Sequence, residues 1–272
     1  MASLLQKRNN SEVSQPKFWE KPTYDKVDFD YVVEANNNGT VLVSLQDKWT
    51  KTKQYKDVEF RSPIMSVMFS DLGPEGDKFK GDFVIKMVDT LGDKVGTREA
   101  QDATKFVKWI KDVCNKMMDI AWNESEVMKG HKQKAIKEAK KIAKKEGGNI
   151  EKKKKKHFME NATLSLIKEH EDQDMVVFKR KNHSESGKCM RPKIWRKVNA
   201  DIKDKEMREF SSDVPWVAKG SLLKFDFKLQ MYDTGTMYGI TGKLGFNVIA
   251  VFLNKFSRPK EEYENVTPYI EF

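Results

Sequence analysis

Leu222-Leu-Lys-Phe-Asp-Phe-Lys-Leu-Gln-Met-Tyr232 alternates apolar and polar side chains from Leu223 to Met231, with Leu223, Phe225, Phe227, Leu229 and Met231 in one register. Neighbouring residues of a strand point to opposite faces, so this stretch predicts a strand with one face in a core. That face is uniformly apolar, which assigns Phe225, Phe227 and Leu229 to packing and not to ligand contact. Asp233-Thr-Gly235 follows as a turn, and Thr236–Thr241 and Leu244–Leu253 continue as two further strands of a meander.

Working outward toward the N-terminus, Asn36-Asn-Asn-Gly39 is a turn signal and Thr40–Gln46 a strand. Val58–Phe60 and Ile64–Ser70 follow, separated by Ser62-Pro63, then a loop at Asp71–Asp77 and a strand at Phe79–Asp89 with Phe83, Ile85 and Met87 on one face. The period then changes. Phe106, Trp109, Ile110, Val113, Met117, Ile120 and Ala121 fall at helical spacing, predicting an amphipathic helix from Thr97 to Gly130. Ala135, Ile136, Ala139, Ile142 and Ala143 extend it or form a second helix, which Gly147-Gly-Asn149 ends. The five-lysine block Lys152–Lys156 is expected to lack regular structure. Met175–Arg180 and Arg191–Val198 are strands again.

This order predicts a mainly β chain with helices (α+β): an elaborated OB-like Greek-key β-barrel with a long helix and a lysine-rich insertion between the middle strands. The OB plan has five strands, with a helix between the third and fourth. Three parts are expected: an extended N-terminal arm, 1–33, whose Phe18, Trp19 and Tyr24 dock on the body; the barrel domain, 34–256, carrying a basic insertion at 131–157; and an acidic, aromatic tail, 257–272.

Only 38% of the residues are hydrophobic and 34% are charged, with a net charge of +10. A pI near 9.3 points to a polyanionic partner, either nucleic acid or an anionic membrane surface. Residues 131–157 hold twelve lysines against three acids, nearly the whole excess. No apolar run reaches signal-peptide or transmembrane length, and no membrane partner is expected. Two cysteines, Cys114 and Cys189, are too few for a disulfide framework, which predicts a reducing intracellular compartment: cytoplasm or nucleus, of a host cell for a viral chain.

Catalysis finds no support. His131, His157, His170 and His183 fall in no metal-ligand spacing, and Gly242-Lys-Leu-Gly245 sits inside a hairpin, unlike a phosphate loop. The carboxylates Asp28/Asp30, Glu171/Asp172/Asp174 and Asp201/Asp204 lie in lysine-rich, loop-like stretches and are expected to be solvated surface charge, the alternative being a metal-dependent nuclease. Cys114 belongs to a helix core. No catalytic residue, metal or cofactor is expected.

Single-strand binding needs cations along a backbone path and aromatic faces for bases. The chain interleaves both at Trp49, Lys51, Lys53 and Tyr55, at Lys179 and Arg180, and at Lys193, Trp195 and Lys197. In the last set the two lysines and the indole share a strand face. This makes either a stacking-plus-phosphate site or a buried Trp195 with lysines over its rim. No duplex-reading module is evident, and the basic helix at 131–146 lacks an Asn or Arg set for base edges, which favours charge and stacking without sequence choice. The last twelve residues carry four carboxylates and no cation, leaving +14 on the rest. Glu261, Glu262, Tyr263, Glu264, Tyr269, Glu271 and Phe272 are expected either to lie on the basic surface until a polyanion displaces them and then meet partner proteins, or to be a solvated terminus.

Two segments carry a family resemblance. Phe60-Arg-Ser-Pro-Ile-Met-Ser-Val-Met-Phe-Ser-Asp-Leu-Gly73 resembles the barrel-opening strand of single-stranded DNA-binding proteins of large DNA viruses and some phages. Lys219-Gly-Ser-Leu-Leu-Lys-Phe-Asp-Phe-Lys-Leu-Gln-Met-Tyr232, continued by Met237-Tyr-Gly-Ile-Thr-Gly-Lys-Leu244, is similar to their closing hairpin. The resemblance implies an OB-fold and a protein that coats single strands without sequence choice in replication, repair or recombination. Its partners would be single-stranded DNA, or RNA, and replication or recombination proteins through the tail, with self-association on DNA through an exchanged arm. The alternative is a lysine-driven packaging or structural protein of a virion.

Overall fold

The computed structural model describes residues 21–36, 38–48, 58–72, 82–91, 95–147, 149–170, 173–181, 190–197, 207–209 and 217–254. Its strands are β1 (Phe29–Ala35), β2 (Val41–Asp47), β3 (Phe60–Arg61), β4 (Met65–Ser70), β5 (Phe83–Val88), β6 (Thr163–Leu164), β7 (Ile167–His170), β8 (Gln173–Arg180), β9 (Lys193–Lys197), β10 (Met207–Glu209), β11 (Leu222–Asp233) and β12 (Tyr238–Phe252). The helices α1 (Thr97–Asn123), α2 (Lys129–Glu146) and α3 (Ile150–Asn161) all lie between β5 and β6.

Five strands close a barrel. β4, β5 and β8 form an antiparallel meander. β11 runs antiparallel to both β4 and β12, and β12 returns parallel to β8 to complete the circuit. This is a five-stranded Greek-key barrel of the OB type. It is elaborated by β9 and β10 beyond β12, β7 beside β8, and the two-residue strands β3 and β6 on β11 and β12. The expected alternation of Leu222–Tyr232 is realised: Leu223, Phe225, Phe227, Leu229 and Met231 are all buried.

The two strands expected after Asp233 are one. β12 runs unbroken from Tyr238 to Phe252, because Gly242 and Gly245 act as packing residues and not as turn residues. A Cβ at Gly242 would come 2.6 Å from Phe178 Cδ1, so only glycine lets β12 lie against β8 there. Part of the segment expected as an extended arm, 1–33, is a strand instead. Phe29–Ala35 is a strand paired with β2 through the Asn36 turn, where the Asn36 Oδ1 accepts from the Asn38 and Thr40 amides and Gly39 takes φ 75°. This hairpin covers β11, with Val43 and Leu45 buried.

The helices enter between the second and third barrel strands, one step earlier than in the plan read from the sequence. β5 and β8 pair from Phe83↔Arg180 to Val88↔Met175, so the helical segment interrupts what would otherwise be a hairpin. α1 buries Phe106, Ile110, Val113, Cys114 and Met117. Burial pushes the Cys114 thiol up to about 12, as suits an inert core residue. α1 ends at Asn123, and a turn with Met128 at φ 50° starts α2 in a new direction.

The five-lysine block is helical, contrary to expectation. Asn149 caps α3, its Oδ1 accepting from the Glu151 and Lys152 amides at 2.9 and 3.2 Å. Lys154 and Lys155 pair with Glu151 and Asp119, and Phe158 is fully buried. A cap, an apolar anchor and neighbouring acids together outweigh repulsion among lysines.

Phe227 is the hub of the core. Its ring lies 5.5 Å from Phe60, 5.3 Å from Phe106 and 5.0 Å from Phe178. Trp109 closes the cluster over Phe60 at 5.1 Å, and Tyr24 docks 4.9 Å from both Phe106 and Trp109. Phe227→Ala is therefore expected to lower stability by about 3–5 kcal/mol. Urea denaturation should show a lower midpoint at unchanged slope.

Candidate nucleic-acid interface

Barrel closure sets three lysines in a row. Lys179 of β8 stands opposite Lys243 of β12, and Lys243 stands opposite Lys228 of β11. Directly opposed residues share a sheet face with Cβ atoms about 4.5–5.5 Å apart. Phe178, Leu244 and Phe227, the neighbours along each strand, are buried, so alternation turns the lysines outward. Lys179 and Lys243 are exposed and Lys228 is half-buried.

The row borders a groove of about 1120 Å³. Lys21, Lys179, Arg180, Lys181, Lys228 and Lys243 line it, against the acids Asp47, Glu59 and Asp82. Thr241–Phe246 of β12 form one wall, and Pro22, Val58 and Met190 add apolar surface. Among the described residues, none of the ion pairs involves Lys179, Lys181 or Lys228.

Arg180 and Phe246 form a platform at the groove wall. The guanidinium lies 3.4 Å from the Phe246 ring centroid. Its Nε donates to the Met190 carbonyl and its Nη1 to the Leu244 carbonyl at 3.0 Å. Burial lowers its pKa, but a guanidinium remains charged at neutral pH. Phe246 keeps 46% of its surface exposed, which is unusual for a strand residue of a barrel.

A bulge causes that exposure. Phe225 pairs with Val248 and Phe227 with Leu244, so Gly245, Phe246 and Asn247 together oppose Asp226. Gly245 allows the close approach, since a Cβ there would meet Asp226 Cβ at 2.7 Å.

Beneath the bulge lies a buried polar network. Arg61 and Asp226 are 3% and 1% exposed, with Arg61 Nε donating to Asp226 Oδ1 at 2.9 Å. Asn247 Nδ2 donates to the other carboxylate oxygen at 3.1 Å, and Trp195 Nε1 donates to Asn247 Oδ1 at 3.1 Å. Lys21 pairs with Glu59 at 2.8 Å and reaches Asp226 at 3.7 Å. The network runs from the buried Arg61–Asp226 pair to the indole on β9.

Of the residues expected at a nucleic-acid site, Lys179 and Arg180 stand in the groove. Lys193 and Trp195 stand on β9, which extends the sheet beside β12 where Asn247 pairs with Lys193. Lys193 is exposed, with its ammonium 5.7 Å from the Trp195 centroid, while Trp195 is half-buried with its polar edge held by Asn247. Lys197 continues β9, its backbone opposite Met207. Trp49, Lys51, Lys53 and Tyr55 lie outside the described residues, as do Cys189, His183 and the tail residues Glu261, Glu262, Tyr263, Glu264, Tyr269, Glu271 and Phe272. Sequence reasoning passed over both Lys243, which fell between the two expected strands, and Phe246, which fell inside the second of them with nothing to mark the bulge. Among the described residues no group of three His, Cys, Asp or Glu side chains could hold a metal ion, and no helix is long and apolar enough to cross a membrane.

Asp226→Ala would remove one partner of the buried Arg61 charge together with the acceptor of Asn247, and is expected to cost about 3–5 kcal/mol in urea denaturation. The double replacement Arg61→Met with Asp226→Leu should regain most of that loss, because it removes both desolvated charges.

No protein-family model matches the chain, and no curated protein matches its sequence. Among solved structures it is similar to gp2.5, a single-stranded DNA-binding protein encoded by bacteriophage T7, at 13% identity, with 78% of this chain and 98% of that one covered and a TM-score of 0.41. It is also similar to the single-stranded DNA-binding protein from bacteriophage Enc34, at 12% identity, with 86% and 95% covered and a TM-score of 0.36. For that protein in complex with single-stranded DNA the identity is 10%, the coverage 85% and 98%, and the TM-score 0.35. These neighbours are single-stranded DNA-binding proteins of phages, the class that the opening-strand and closing-hairpin segments of this chain resemble.

Proposed function

We propose that this chain binds single-stranded DNA along the barrel groove without choosing among sequences, and coats and protects it during replication or recombination. The observation that carries this reading is the Lys179–Lys243–Lys228 row set beside the Arg180–Phe246 platform. The row gives a backbone path to phosphates, and the exposed ring gives a flat face to an unstacked base. A duplex keeps its base faces covered, so the platform is of use only to a single strand. Lys193, Trp195 and Lys197 would continue the path along β9. Trp49, Lys51, Lys53 and Tyr55 would add the same chemistry from the segment after β2.

The mechanism is stoichiometric, with no bond made or broken: cations replace counterions, aromatic faces replace base stacking, and the strand is held extended. In the same reading the acidic tail lies on the basic surface in the absence of DNA. Once displaced, it offers Tyr269 and Phe272 to replication or recombination proteins.

Fluorescence anisotropy with labelled single- and double-stranded oligonucleotides across a salt series tests this. Lys179→Gln and Lys243→Gln should each flatten the salt dependence on single strands by about 0.7. Phe246→Ala and Trp195→Ala should each weaken binding by about 1–3 kcal/mol at every sequence tried. Equal affinity for both forms, untouched by the aromatic replacements, would leave a lysine-driven packaging protein instead.

A further inference from the structure

The groove uses only part of the chain's positive charge. Thirteen further lysines sit on α2 and α3, which pack as a helical hairpin. Lys134, Lys137, Lys141 and Lys145 recur along α2 at helical spacing, flanked by Lys140 and Lys144, and all six are exposed. His131, Ala135 and Ala139 form the opposite, buried face. α2 is therefore amphipathic in charge, and its lysine stripe extends about 16 Å at 1.5 Å per residue. Exposed Lys152 and Lys156 add a second row from α3. Of these eight lysines only Lys141 and Lys156 enter ion pairs among the described residues, with Glu138 and Glu160.

The hairpin is rigidly attached. His131 Nε2 lies 3.0 Å from Asp233, the Tyr238 hydroxyl donates to the Phe158 carbonyl at 2.6 Å, and Phe158 stacks 4.9 Å from Tyr238. These contacts fix it at the turn end of the β11–β12 hairpin. Lys243 is five residues further along β12, roughly 17 Å of strand. The two cationic surfaces are thus separate places on one body.

Their chemistry differs. Neither helix carries an arginine, and no aromatic side chain on the hairpin is exposed among the described residues. Such a surface offers nothing to a base and responds only to charge density. A duplex carries one phosphate charge per about 1.7 Å of axis, twice the density of one strand. We propose that the α2–α3 hairpin is a second nucleic-acid surface that takes the backbone of duplex DNA, so that the protein engages a junction where a duplex opens into a single strand. This rests on the single-strand reading of the groove: the groove holds the open strand and the hairpin lies along the adjoining duplex.

The test uses the full chain with a single-stranded oligonucleotide, a blunt duplex of equal length and a duplex carrying a single-stranded tail. The wild type should prefer the tailed duplex to either simple form. The variant K134Q/K137Q/K141Q/K145Q should keep its single-strand affinity and lose that preference. Its salt slope on the blunt duplex should fall by about 0.9 for each lysine that lies on a phosphate. The groove variant K179Q/K243Q should do the converse, keeping duplex binding while losing single strands. Duplex binding that survives the hairpin variant would overturn the proposal, as would equal loss on all three probes. Tighter capture of polyglutamate than of duplex, abolished by the hairpin variant, would assign the surface to an acidic protein and also overturn it. Absence of single-strand binding by the wild type would instead refute the groove reading, a result distinct from these.

Discussion

The barrel is closed by a short parallel contact, Gly242 beside Phe178 and Lys243 beside Lys179. It is the contact that joins β8 to β12 and so completes the circuit of five strands. The contact depends on a missing side chain: Leu166 and Phe178 occupy the space that a Cβ at position 242 would need. The same register brings two lysines face to face. Like charges directly opposed across strands destabilise a sheet. Here that local penalty falls where phosphates would relieve it. A slip of one residue would turn Lys243 inward and Gly242 outward, so closure of the fold and composition of the groove face are a single choice.

The Arg61–Asp226 pair has a different role. A buried ion pair contributes little net stability, but its geometry is demanding. Asp226 holds Asn247, and Asn247 holds the Trp195 indole. The bulge that exposes Phe246 is thereby anchored from below. The Trp195 indole on β9 and the bulged segment of β12 that carries Phe246 are thus tied to the same buried ion pair.

Strong periodicities made much of this architecture legible. Leu223–Met231 alternates strictly, and Phe106–Ala121 repeats at helical spacing, so β11 and α1 can be placed from residues alone. β1 was hidden because Asp30 and Glu34 give it the composition of an arm, while its pairing with β2 depends on the Asn36 turn. α3 was hidden because five consecutive lysines suggest repulsion, and the Asn149 cap and Phe158 anchor act only once the tertiary contacts exist. At the candidate site Lys179 and Arg180 stood out as a cluster along the chain. Lys243 and Phe246 did not, since a cross-strand row is a property of register and a bulge is a property of pairing. The Asn247–Trp195 link spans 52 positions and leaves no local trace.

The place where the helices leave the barrel has a consequence for how such a protein can change. Val88 and Met175 are paired neighbours, and Gln173 reaches across to Asp89 and Thr90, so the two ends of the excursion are already tied together. Closing a loop between fixed ends depends only weakly on its length, by about 0.6 kcal/mol per doubling. Lengthening the excursion therefore costs little chain entropy. α1 has to stay, because its Phe106 packs on Phe227 in the core, but the chain beyond α1 has room to vary in length while the closed circuit of strands stays as it is.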